Sequence, residues 1–124
     1  MSLFTGPGTH NVATVGPFTI QAECVINAGG SDEGQFLLTT ALNGSSMDDN
    51  NGDEFSEFNV GEVAELYAES TSTGEPDIEV GDEPGLTAVA PDGTAILFQN
   101  ESIGFNIAGK PGQCYFAGLI QKVG

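Results

Sequence analysis

Phe18-Thr-Ile-Gln-Ala-Glu-Cys-Val-Ile26 reads as one unbroken alternation. Phe18, Ile20, Ala22, Cys24 and Ile26 fall on one side of an extended chain, and Thr19, Gln21 and Glu23 on the other. A period of two is what a half-buried strand requires, because successive side chains point to opposite faces of a sheet. On either side of this stretch, 18 glycines and six prolines cut the chain into short β-rich runs. That is the pattern of an all-β sandwich or barrel.

Downstream, Asn27-Ala-Gly-Gly-Ser-Asp-Glu-Gly34 has the composition of a turn, and Gln35–Leu42 reads as a second strand. A long acidic loop, Asn43 to Glu54, follows before Phe55, Phe58 and Val60 return the chain to the core. Positions 60–68 are two-sided. Asn59 and Glu62 have the spacing of a capping box, and Val63, Leu66 and Tyr67 that of a short helix. The all-β surroundings favour an edge strand. Polar residues 70–85 leave room for one short strand at Ile78–Val80. Leu86–Ala90 and Thr94–Gln99 flank Ala90-Pro-Asp-Gly93, the clearest hairpin in the chain. Ile103, Phe105 and Ile107 alternate in a further strand, and Gly109-Lys-Pro-Gly112 turns into a last one, Gln113–Val123. Thr5-Gly-Pro-Gly8 marks residues 1–15 as a loose N-terminal segment. The expectation is a single domain over 1–124. It is a β-sandwich or jelly roll of about eight antiparallel strands, with one short helix near 60–68 as the alternative there.

Leu, Ile, Val and Phe make up 31 of 124 residues. That exceeds the roughly 20% below which a highly charged chain stays disordered. Charge then restricts function. Eighteen acidic residues against two lysines give a net charge of −16. Nucleic-acid binding rests on Lys and Arg neutralising phosphates, so nucleic acid is not an expected partner. No run of apolar residues is long enough for a membrane span. Met1-Ser-Leu-Phe4 lacks a positive n-region, so no signal peptide is expected in this stretch.

Cys24 and Cys114 lie in strand-like segments near the two ends of the chain, 90 positions apart. Terminal strands of sandwiches are often neighbours, which lets such cysteines meet. A disulfide is therefore expected, and with it an extracellular or cell-surface location. The alternative is two buried thiols in a haloadapted cytoplasmic protein, where the charge serves tolerance of salt. Their spacing does not suit zinc.

Asp48-Asp-Asn-Asn-Gly-Asp-Glu54 and Glu57 offer carboxylates and amides suited to calcium. An EF-hand register with Gly52 at its sixth place fails, because Met47 and Phe58 would occupy ligating positions. A different calcium loop would use Asp48, Asn50, Asp53 and Glu57. The competing expectation is a solvated acidic loop. A second acidic group, Glu75, Asp77, Glu79, Asp82 and Glu83, is expected to keep an edge soluble and unpaired. The single histidine, His10, stands in the loose N-terminal stretch, which argues against a catalytic triad. With no tryptophan, an aromatic carbohydrate platform is not expected, and the phenylalanines are assigned to the core. Asn43-Gly-Ser45 and Asn100-Glu-Ser102 match glycosylation acceptors.

Tyr115-Phe-Ala-Gly-Leu-Ile120 resembles the closing strand of complement C1q/tumour-necrosis-factor-like jelly rolls. The resemblance covers six residues and implies a secreted domain that trimerises through aromatic-rich strands, often at the tip of a stalk. The composition is also similar to that of small β-domains of bacterial surface proteins. The function expected is a non-enzymatic, exported or surface-displayed structural or interaction module. Its partner is another protein or a second copy, as in a homotrimer. The alternative is a calcium-dependent ligand-binding domain using the 48–57 loop.

Overall fold

The computed structural model describes residues 1–49, 54–81 and 85–124. Among these, eleven strands and no helix are found, arranged in two antiparallel sheets. The strands are β1 (Ser2–Thr5), β2 (Gly8–Val15), β3 (Phe18–Val25), β4 (Ser31–Thr40), β5 (Ser45–Asp48) and β6 (Glu54–Phe58). They continue as β7 (Ala64–Ser72), β8 (Asp77–Val80), β9 (Leu86–Val89), β10 (Ala95–Phe105) and β11 (Cys114–Lys122). A four-stranded sheet runs β2-β3-β4-β7. A seven-stranded sheet runs β1-β11-β10-β9-β5-β6, with β8 paired to β10 beside β9. Their inner faces bury Phe18, Phe36, Phe58, Phe98, Phe105 and Phe116. The Phe36 ring meets the Phe98 and Phe116 rings edge-on across the sandwich, at 4.9 and 5.3 Å. The all-β sandwich expected from alternation is the fold observed.

The strand count and several boundaries differ from expectation. Residues 1–15 are not loose: β1 pairs with β11 and β2 with β3. The two strands expected at 94–99 and 103–107 are one, β10, bent at a bulge between Gln99 and Ser102 where Asn100 takes φ 57°. A bulge turns a strand without ending it. The first half of β10 pairs with β9 and the second with β8.

No helix forms near 60–68. Glu62 Oε1 accepts from the Asn59 amide (2.9 Å), as in a capping box, but the Glu62 amide returns to the Asn59 carbonyl (3.1 Å). That closes a turn, and the chain leaves it extended as β7, paired with β4. The 90–94 hairpin is as expected: Ala90 N–H donates to Thr94 O, and Gly93, at φ 90°, donates to Ala90 O.

Two devices hold the sheets together. The first is a disulfide from Cys24 on β3 to Cys114 on β11, both sulfurs in the core. The second is Asp32, at 1% exposure. Its Oδ1 accepts from Asn27 N–H (2.9 Å), and its Oδ2 from Gly74 N–H (3.0 Å) and Asn106 Nδ2 (2.9 Å). Asn106 Oδ1 accepts in turn from Gly112 N–H at 2.8 Å. One carboxylate thus joins three loops at the disulfide end of the molecule.

Candidate interaction faces

The register of the seven-stranded sheet fixes what its outer face carries. Phe4, Tyr115, Gly104 and Ile78 stand directly opposite one another across β1, β11, β10 and β8. The next outward row is Ser2, Ala117, Ser102 and Val80. Beyond the bulge come Leu119 with Gln99, then Gln121, Leu97, Thr87 and Asp48. Ile107 folds over Gly104, its Cδ1 3.0 Å from where a β-carbon would sit. Val80, Ile78 and Leu119 are 63%, 51% and 44% exposed.

Among the described residues, the rows from Phe4 to Leu119 hold no carboxylate. In a chain with eighteen acids this is a marked segregation. Among the described residues, the charges on this face lie toward its corners. Lys110 places its Nζ 5.4 Å over the Phe4 ring, and Asp48 lies at the opposite end of the sheet on β5.

The opposite outer face, on the four-stranded sheet, is acidic. A groove of about 400 Å³ is lined by Glu23, Glu33, Glu65 and Glu69, with Gln35 and Ala68. Glu23 is held from both sides: Gln35 Nε2 donates to one oxygen (2.6 Å) and Thr9 Oγ1 to the other (3.1 Å). Glu69 Oε1 accepts from the Tyr67 hydroxyl at 2.8 Å. Sequence reading missed this groove. Its acids come from β3, β4 and β7, and only the sheet's register brings them together.

Of the calcium candidates, Asp48 ends β5 and Glu57 lies in β6, both exposed; Asn50 and Asp53 lie outside the described residues. The hairpin sets Asp48 directly opposite Glu54. Among the described residues, no group of three or more His, Cys, Asp or Glu is placed to hold a metal ion. In the second acidic group, Asp77 and Glu79 belong to β8, which pairs with β10 on one side and with no strand on the other among the described residues; Asp82 and Glu83 lie outside the described residues. His10 is in β2, with its Nε2 2.6 Å from the Thr5 hydroxyl. Asn43 Oδ1 accepts from Val60 N–H, while Asn100 stands exposed at the bulge. Comparison with family models, curated proteins and solved structures found no match to this chain.

Proposed function

We propose that this chain is a non-enzymatic interaction module of an oxidising compartment, extracellular or at the cell surface, that binds a protein partner through the outer face of its seven-stranded sheet. The observation that carries this is the carboxylate-free row structure from Phe4 to Val80 and Leu119, on a molecule whose remaining surface is strongly acidic. Contiguous apolar surface rimmed by polar residues marks protein contact sites. The compartment rests on the buried Cys24–Cys114 bond, since disulfides persist where thiols are not kept reduced. Equilibrium unfolding of oxidised and reduced protein tests it. Reduction is expected to cost about 4–5 kcal/mol, the loop-closure entropy of a crosslink this long. Equal stability of the two forms would remove the argument for an oxidising compartment.

A second proposal is calcium binding at the 48–57 loop, favoured by the Asp48–Glu54 register. Like charges directly opposite across a ladder destabilise it, and a shared cation relieves that repulsion. Millimolar calcium is then expected to raise the melting temperature of the wild type but not of Asp48→Asn. A melting temperature indifferent to calcium would eliminate this site.

A further inference from the structure

We propose that the partner of the apolar face is a second copy of this chain, the two seven-stranded sheets meeting face to face about a dyad. This rests on the reading of that face as a protein-binding surface and names its occupant. Three observations support it. The first is area. Strands about 4.8 Å apart rising about 3.4 Å per residue make the face from β1 across β11, β10 and β9 to β5, over positions 115–121 of β11, roughly 24 Å by 24 Å. Two such faces bury on the order of 1,000 Å², which reaches the lower range of specific interfaces.

The second is the distribution of charge. Copies of net charge −16 repel at most approaches. Pairing through the carboxylate-free rows puts both acidic grooves on the far sides, two sandwiches apart. The third is complementarity at the corners. Lys110 sits beside Phe4 at one corner of the face, and Asp48 beside Thr87 at the diagonal one. A dyad crossing the strands obliquely superposes the Lys110 corner of each copy on the Asp48 corner of the other. A self-complementary patch is what an isologous interface requires.

Sedimentation equilibrium of the oxidised protein in EDTA tests this, beside Val80→Glu, Leu119→Glu and Lys110→Glu. Thr39→Glu, on the outer face of the four-stranded sheet, adds the same charge as a control. The wild type and Thr39→Glu are expected at twice the 12.8 kDa of one chain. Val80→Glu and Leu119→Glu are expected as folded monomers whose melting temperature does not depend on protein concentration, and Lys110→Glu with dimer affinity at least tenfold weaker. A trimer, or a dimer indifferent to Val80→Glu and Leu119→Glu, would overturn the proposal, as would one indifferent to Lys110→Glu. A wild type monomeric at millimolar concentration would also overturn it, while leaving the face open to a different protein. Failure of the compartment assignment shows separately, in the unfolding of the reduced form.

Discussion

Asp32 is a charge placed where water cannot reach it. Burial alone pushes its carboxyl pKa up. Hydrogen bonds from Asn106, Asn27 and Gly74 outweigh that and hold it below the ordinary carboxylate value. The sign follows from the direction. A folded pKa below the unfolded one gives stability that is present above the unfolded value and lost as pH falls through the folded one. Asp32→Asn presents an amide nitrogen where two donors converge on Oδ2, or turns it to the donor at Oδ1. It is expected to cost about 2–4 kcal/mol at pH 7, given that hydrogen bonds to charged groups contribute about 1.5–3 kcal/mol each. Denaturant titrations should show the gap to wild type narrowing below about pH 4, where an unfolded aspartate takes up its proton. A gap constant from pH 7 to pH 2 would show that the ionised form has no special role. Nothing local announces this residue. In the sequence it is one polar position in a glycine-rich turn, and two of its three partners lie 42 and 74 positions away.

Elements were legible where one face met the core and water met the other. β3 alternates buried and half-buried positions along most of its length, and its pattern could be read directly. β4 begins earlier than its composition suggests, because Ser31, Asp32 and Glu33 look like turn residues yet all three pair with β7, and Glu33 with β3 as well. β10 reads in the sequence as two strands because Asn100, Glu101 and Ser102 interrupt its apolar period, although Glu101 and Ser102 are buried. Gly34 shows what a strand glycine can signal. A β-carbon there would stand 2.9 Å from Ile103 Cγ2 and 3.3 Å from the Phe116 ring, so side chains of the facing sheet fill the place where β4 lacks one. Gly34→Ala pushes those side chains aside and is expected to destabilise by about 1–3 kcal/mol, the usual cost of overpacking. Chemical denaturation measures it; a stability equal to wild type would mean that the core has slack at this point. The candidate faces were less legible than the strands. The parity of Tyr115, Ala117 and Leu119 is plain in the chain, but their alignment with Phe4, Ile78 and Val80 depends on the register of three separate pairings.

At the scale of the whole molecule, charge and apolar surface are sorted onto opposite sides. The four-stranded sheet faces outward with Glu23, Glu33 and Glu65, the seven-stranded sheet with Phe4, Tyr115, Leu119 and Val80. Both sheets are joined near one end by the Cys24–Cys114 bond and the Asp32 cluster. That bond also sets how the domain bears mechanical load. Tension entering through one flank of the chain crosses from β3 to β11 through two sulfur atoms. The 90 positions of separation between them stay out of the load path. Under pull, only the strands outside the bridge, β1, β2 and the two bridged strands themselves, can be peeled away. The remainder of the sandwich is shielded for as long as the bond is intact.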